Sequence, residues 1–374
     1  MTPEKALFSA NMKKRRLELN ISQAQLGEML SYSGKAISKW ESGHAYPPAE
    51  VLPKLARALD TDLNALFDFK QPPSYFLGID GGGTKTKFLL TDDKGNILKA
   101  LALGPCSPTG VGVEKSISVL QSGIDSICKD IPFYKISVHA GVAGCGIGKY
   151  ANLIASAFES KRFSSFKVSS DADNIISAAL GKNDGIICIL GTGSVVYSCV
   201  NGIRRQIGGY GYLIGDVFSG TELGRACLEA VFYDLDGSRD HTLLTQMITA
   251  DIGSSSSDML NDLYAKGRTY MASFAHYVFE AAEKNDAAAD AILQKNITGL
   301  ASQINAALKN ISSDKKVPVF LAGGLTNAAP LFLDKLKAAI TDSRLLSVEI
   351  LEKEPVEGAV LLAGAPCVME EEHA

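Results

Sequence analysis

Two short stretches carry the residues best suited to chemistry. In "YFLGIDGGGTKTKFLL", residues 75–90, an apolar run ends at Asp80. It passes through Gly81, Gly82 and Gly83, then Thr84, Lys85 and Thr86, and turns apolar again. In "GIICILGTGSVVYSCV", residues 185–200, the same plan recurs around Gly191, Thr192, Gly193 and Ser194. Glycine has no Cβ, so successive backbone N–H groups can turn toward one anion and approach it closely. Binding of an oxyanion is the chemistry such turns suit, and a plain hairpin turn is the ordinary alternative. A P-loop does not fit, because Thr84-Lys85-Thr86 leads into Lys87-Phe88-Leu89-Leu90, a second strand instead of a helix. A third turn, Gly323-Gly324 in "VPVFLAGGLTNAAPLF", follows an apolar strand and precedes a helix.

The elements that position these turns repeat. Strand, glycine turn and strand occur twice, about 110 residues apart, each followed by helical and further α/β material, which predicts an internal duplication. Upstream, Pro72-Pro73 in "DFKQPPSY" forbids helix continuation and marks a boundary. A length of 374 residues with 46% hydrophobic content fits two or three domains with large cores. Seven cysteines with no C-x-x-C pair point to a reducing compartment. No apolar leader follows Met1, and the most apolar run is broken by residues 191–194, so a cytoplasmic location with no membrane span is expected. Residues 1–70 carry ten basic and eight acidic side chains, whereas the remainder carries 27 and 33. An anionic partner is therefore expected for the head alone.

The head has its own pattern. In "ISQAQLGEMLSYSGKAISKWESG", residues 21–43, Ser22 reads as an N-cap and Leu26, Met29 and Leu30 as an apolar stripe. Ser33 reads as a second N-cap, Ile37 and Trp40 as an inner face, and Gly43 as the helix stop. Lys35, Ser38 and Lys39 are left facing outward. With "NMKKRRLELN" before it and "PAEVLPKLARALDTDLNALF" after it, the segment 9–68 resembles the helix-turn-helix of XRE-family (Cro-like) repressors. The resemblance implies operator DNA as partner, a homodimer, and a second helix in the major groove with Lys35 and Lys39 toward the base edges and Ser38 among the DNA-binding residues. Gln23, Ser33 and Ser42 match phosphate-contacting positions. Ser31 stands where the turn usually has glycine, and the basic run Lys13-Lys14-Arg15-Arg16 is expected to add phosphate attraction.

The body, after a linker at 69–74, is similar to the acetate kinase–sugar kinase–actin–Hsp70 superfamily over residues 75–366. Within it, "GIDGGGTKT", "SSDA", "GTGS", "GGYGYLIGD" and "AGG" in that order resemble the BadF-type ATPases and the N-acetylglucosamine kinases. The implied fold is an all-α head followed by an α/β body of two duplicated actin/RNase H-like halves, about 75–170 and 171–366. The implied ligands are ATP, Mg²⁺ and a small sugar. Gly81, Gly82, Gly83, Thr84, Lys85 and Thr86 would hold one end of the triphosphate, Gly191, Thr192, Gly193 and Ser194 the other, and Gly323 and Gly324 the adenosine. Asp80 suits a water-mediated Mg²⁺ contact, since that hard ion keeps its waters. Asp171 matches the catalytic base, the alternative being a plain N-cap, with Asp173 the better cap. Gly215 and Asp216 match sugar-binding positions.

The chain departs from the kinase pattern at "GDVFSG", where Val217 and Phe218 replace the usual Glu-Gly, and at "LGPCSPTG", where Ser107, Pro108 and Thr109 stand near an expected asparagine. These departures favour, as the alternative to an ATP-dependent amino-sugar kinase, a non-catalytic sugar- and ATP-sensing repressor. Two weaker readings complete the set. "GVAGCG", residues 141–146, loosely fits a dinucleotide fingerprint, and Cys145 with Cys188 would be needed for an iron–sulfur ATPase activator of a radical dehydratase.

Overall fold

The computed structural model describes residues 3–61, 63–67, 73–146, 148–253, 255–309, 311, 316–341 and 346–368. The chain divides between Pro72 and Pro73 into two compact units. Residues 69–72 of the expected linker, with Asp62 and Asp68 of the expected head, lie outside the described residues.

The head has helices α1 (Pro3–Glu18), α2 (Gln23–Leu30), α3 (Gly34–Glu41), α4 (Leu52–Ala58) and α5 (Leu63–Leu66). Ser22 caps α2 in a capping box with Gln25, and Ser33 caps α3. Between them Ser31 takes the left-handed conformation that favours glycine, at φ 61°. The turn is tight because Gly27 lies beneath it, where a Cβ would come within 2.6 Å of the Tyr32 carbonyl oxygen. Phe8, Met12, Leu26, Leu30, Ile37, Trp40, Leu55 and Leu59 form the core. Each such side chain contributes about 1.5–3 kcal/mol by leaving water. Met29 is not in the stripe. It is 56% exposed, because the buried face of α2 runs through Leu26, Gly27 and Leu30.

The first sheet of the body consists of β1 (Tyr75–Gly81), β2 (Thr86–Asp92), β3 (Ile97–Leu103), β4 (Ile136–Val142) and β5 (Ser165–Ser169) in the order β3-β2-β1-β4-β5. Helices α6 (Pro108–Val111), α7 (Val113–Ile127) and α8 (Tyr150–Ser156) accompany it, and α9 (Asp171–Leu180) follows. The second sheet consists of β6 (Gly185–Leu190), β7 (Ser194–Val200), β8 (Ile203–Ile207), β9 (Val317–Ala322) and β10 (Leu346–Ile350), ordered β8-β7-β6-β9-β10. The plan is the same in both. An antiparallel hairpin opens each sheet, and its first strand pairs in parallel with the next strand inward. The duplicated α/β body is thus as expected. Helices α10 (Gly220–Leu235), α11 (Leu243–Ile252), α12 (Ser256–Ser273), α13 (Ala275–Glu283) and α14 (Ala287–Leu308) lie between β8 and β9 in sequence, and α15 (Ala329–Ala339) follows β9.

The halves do not part at residue 170 throughout. Helix α16 (Pro355–Ala363) crosses back to pack on β1 and α9. It fits because two glycines remove side chains at the contact. A Cβ on Gly78 would lie 2.5 Å from the Val360 nitrogen, and one on Gly358 1.9 Å from the Asn174 oxygen.

Candidate active site and DNA-reading face

Each of the two hairpin glycine turns sits at the carboxyl end of its sheet's central strand, where open α/β sheets bind ligands. In the first turn the Gly82 N–H donates to the Lys85 carbonyl at 2.9 Å, leaving Gly83, Thr84 and Lys85 as an exposed tip. Around Gly83 nothing lies within 4 Å of a would-be Cβ, so the tip has room for a ligand. Gly81 lies within β1 and is buried. Thr86 corrects the expectation of a ligand set running to residue 86. It is fully buried, and its hydroxyl donates to the Gly104 carbonyl at 2.8 Å, bracing the hairpin from inside.

The second turn is seated on the start of α10. Gly220 N–H donates to the Gly191 carbonyl at 2.8 Å, and the Thr221 hydroxyl and N–H donate to the Thr192 carbonyl. A sixteen-residue helix thus points its positive end at the turn, which favours an anion there. Ser194 is a brace, its buried hydroxyl donating to the Val217 carbonyl. Gly323 abuts this turn. At φ +101° its would-be Cβ lies 2.4 Å from the Leu190 oxygen, so no side chain fits, while Gly323 and Gly324 stay exposed.

Asp171 is the first residue of α9, and the cap is Ser170. The Ser170 hydroxyl accepts from Ala172 N–H, and Asp173 reaches back to the Ser170 N–H, completing a capping box. Asp171 is therefore not the cap, and Asp173 is the third helical residue of the box instead of the cap itself. Asp171 Oδ1 accepts a hydrogen bond from Ser170 Oγ at 3.1 Å. Behind it, His139 Nε2 lies 3.0 Å from Ser169 Oγ, and burial drives that histidine down to about 4, so it is neutral near pH 7. Arg204 of β8 pairs with Asp173, tying α9 to the second sheet.

Asp80 accepts a hydrogen bond from Asn174 Nδ2 at 3.0 Å. Burial pushes its carboxyl above the ordinary range, Asn174 opposes this, and the charge of Asp171 adds to the rise. Charge on Asp80 is thus disfavoured, by burial first and by the Asp171 charge second, and a divalent cation beside it would relieve this. That donor set fits Mg²⁺.

On the acceptor side, Ser107 is buried, its hydroxyl donating to the Ala143 carbonyl at 2.9 Å, whereas Thr109 is exposed. A Cβ on Gly144 would meet Thr109, and one on Gly146 would meet Ser170. The loop 141–146 therefore runs from Thr109 to Ser170, the neighbour of Asp171. Asp216 is 5% exposed, and its Oδ1 accepts from Gly211 N–H at 3.0 Å. Gly215 N–H donates to the Gly211 carbonyl at 3.0 Å, holding the loop that carries Asp216. Asp216 Oδ2 lies 3.7 Å from Arg268 Nη2. The departures Val217 and Phe218 do not enter this site. Val217 packs on Gly299 of α14, and Phe218 is fully buried against Phe332 with ring centres 4.6 Å apart. Phe218 keeps a left-handed φ of 58°, with its N–H held by Asn296 Oδ1. Local pattern reading missed Ser170, Asn174 and Arg268. The S-x-x-D spacing before α9 would have found the first. The other two arrive by topology.

Cys145 and Cys188 are both buried, and burial pushes Cys145 to about 11, so neither presents a surface thiolate to bridge a cluster. Among the described residues, no group of three or more metal-ligating side chains forms, and no helix is long and apolar enough to cross a membrane.

In the head, Lys35, Ser38 and Lys39 are exposed on one face of α3. Ser33 is exposed at the start of that helix, and Ser42, at its end, donates to the Lys39 carbonyl at 3.2 Å. Gln23 gives one amide hydrogen to Glu41 at 2.8 Å. The basic run is not a uniform phosphate patch. Arg15 binds the Leu59 and Asp60 carbonyls, and Arg16 is buried against Glu41, leaving Lys13 and Lys14 exposed. If Lys35 and Lys39 contact bases, as the resemblance implies, Lys35→Ala and Lys39→Ala should each cost about 1–3 kcal/mol at a specific site. Lys13→Ala should weaken all sequences alike and flatten the salt slope. Titration of specific and scrambled duplexes across salt checks this, and a uniform loss from Lys35→Ala would make that residue a phosphate contact.

Comparison with known proteins agrees with this geometry. The family model for the BadF/BadG/BcrA/BcrD ATPases matches residues 77–363, and a helix-turn-helix model matches residues 12–66. An N-acetylmuramic acid/N-acetylglucosamine kinase of Clostridium acetobutylicum is 26% identical over 304 residues, covering 78% of this chain and 99% of that protein. A structure described as a candidate N-acetylglucosamine kinase from Chromobacterium violaceum superposes with TM-score 0.62 at 26% identity, covering 78% and 99% of the two chains. Over the head, the HTH-type transcriptional activator BcrR of Enterococcus faecalis is 37% identical over 59 residues, 16% of this chain and 29% of that protein.

Proposed function

The chain belongs to the BadF/BadG/BcrA/BcrD ATPase family, and from that premise we propose a DNA-binding regulator whose body phosphorylates an amino sugar or related small hydroxyl compound with ATP. The observation that carries the proposal is the state of Asp171. Its helix is capped by Ser170 and Asp173, so the Asp171 carboxylate is released from structural duty and steadied by one hydrogen bond beside Asp80. Asp171 takes the proton of the acceptor hydroxyl as that oxygen bonds to the γ-phosphorus. The bond from that phosphorus to the bridging oxygen breaks, and ADP leaves with the electron pair. Mg²⁺ held through water by Asp80 would offset the phosphate charge. Thr109 and Asp216 orient the acceptor, and the amino-sugar class follows from the names of the relatives. Two heads reading a two-fold operator make the working unit a homodimer in the cytoplasm.

The test is a screen for ATP consumption over amino sugars, with wild type and Asp171→Ala side by side. Sugar-dependent ADP formation by wild type alone is the expected result, and none from either protein would overturn the enzyme. Mg-ATP should also protect the body against heat, by about 2.7 kcal/mol at a hundredfold excess over Kd. Gly193→Val should abolish that protection, since its Cβ would sit 2.6 Å from Arg268 Nη2 and 2.8 Å from Asp216 Oδ2. Undiminished protection in the variant would refute the second turn as a phosphate grip.

A further inference from the structure

Helix α12 is interrupted at Gly267, whose φ of 65° and ψ of −150° are not helical, and Arg268 follows directly. Its Nη2 would touch a Cβ on Gly193 at 2.6 Å, so the guanidinium lies against the bare face of the second glycine turn. The residues of that turn, Gly191 to Ser194, carry no charged side chain of their own. The contact with Asp216 Oδ2, at 3.7 Å, is too long for a hydrogen bond. The guanidinium also lies 5.6 Å from the Tyr212 ring centre, and the side chain is 40% exposed. Arg268 is thus a cation with no hydrogen bond among the described residues, at the edge of a turn with no charge of its own, where the Asp216 carboxylate lies 2.8 Å from the same would-be Cβ. Asp216 keeps its hydrogen bond from Gly211 N–H to Oδ1 when Arg268 moves.

We propose that Arg268 is a phosphate-binding residue of the nucleotide site, closing its guanidinium fork on non-bridging oxygens of the triphosphate held at Gly191–Ser194. The proposal rests on the reading that this turn grips ATP. A planar fork of charged donors matches phosphate geometry, and a charge-assisted bond of this kind is among the strong ones. On that reading the fork grips phosphates beyond the first, which a triphosphate carries and a monophosphate lacks.

Calorimetric titration of the full chain with Mg-ATP and with AMP tests it, using wild type, Arg268→Gln and Arg268→Lys. Arg268→Gln should weaken ATP by about 10–100-fold and leave AMP unchanged, with Arg268→Lys between. The salt dependence of ATP binding should be shallower in Arg268→Gln than in wild type. Unliganded melting curves of the three proteins check that the fold is kept, and Arg268→Lys carries the test if Arg268→Gln melts early. Equal ATP affinity in wild type and Arg268→Gln would overturn the proposal, as would equal losses for ATP and AMP. A loss confined to a carboxylate-bearing amino sugar, with ATP unaffected, would also overturn it and assign Arg268 to the acceptor. Failure of wild type to bind any nucleotide is a separate result and would remove the ATP reading itself.

Discussion

Arg16→Met should cost the head about 3–5 kcal/mol, most of the stability a domain of its size holds. Arg16 was expected to attract phosphates, yet it is an interior residue. Its Nε lies 2.6 Å from Glu41 Oε1, its Nη2 3.0 Å from Oε2, and its Nη1 donates to the Ile21 carbonyl at 2.6 Å. Both side chains are buried, so removing the guanidinium strands the Glu41 carboxylate with Gln23 as its remaining side-chain partner. An uncompensated buried charge costs more than the pair itself is worth. The double variant Arg16→Met with Glu41→Leu should therefore recover much of the loss. The protein reports this conveniently. Its single tryptophan is Trp40, buried in the head core, so tryptophan emission during urea unfolding follows the head within the full chain. Because Glu41 ends α3 and Gln23 starts α2, the single variant should also lose DNA binding for every sequence while keeping the Mg-ATP response. An unfolding free energy within about 1 kcal/mol of wild type would contradict the buried-pair account.

What could be read in advance was local. The caps at Ser22 and Ser33 and the two strand–glycine–strand units depend on residues a few positions apart, and these were found where expected. Both sheets repeat one plan built on such a unit, as the expected duplication requires. What escaped is set by distance in sequence. Thr86 looked like one more hydroxyl in a phosphate turn, but the pleat turns it inward to Gly104. Asn174 reaches Asp80 across 94 residues, and Arg268 reaches the second turn from a helix whose break at Gly267 has no pattern to announce it. Phe218 is a different lesson. A phenylalanine in place of glycine suggested an altered acceptor site. The backbone keeps the left-handed turn that glycine would adopt, and burial of the ring on Phe332 offsets a strain of about 1–3 kcal/mol. The departures there concern packing, so they count less against catalysis than their position in the motif suggests.

Asp171→Asn should lower turnover by about 10²–10⁴-fold while leaving ATP and sugar affinity largely intact. Asparagine can still accept the Ser170 Oγ hydrogen bond and keeps the shape of the first turn of α9, whose cap belongs to Ser170 and Asp173. What it loses is the capacity to take a proton, which the proposed mechanism needs only as the acceptor oxygen attacks, so the effect should fall on kcat and not on KM. Asp216→Ala should do the reverse, raising KM for sugar, if the carboxylate that Gly211 holds in place binds the acceptor as proposed. The pair of variants separates an active kinase from a sensor that has kept only the fold. In a kinase that also regulates, Asp171→Asn binds sugar, cannot convert it, and holds the DNA response in its substrate-bound state for as long as sugar is present. In a sensor, operator release by sugar is the same in wild type and Asp171→Asn, and wild type forms no ADP. Measuring sugar-dependent operator release and ADP formation on the same samples decides between them. Wild type that binds ATP yet forms no ADP with any amino sugar tested would establish the sensor, and Asp171 would then be an unused acid at the head of its helix.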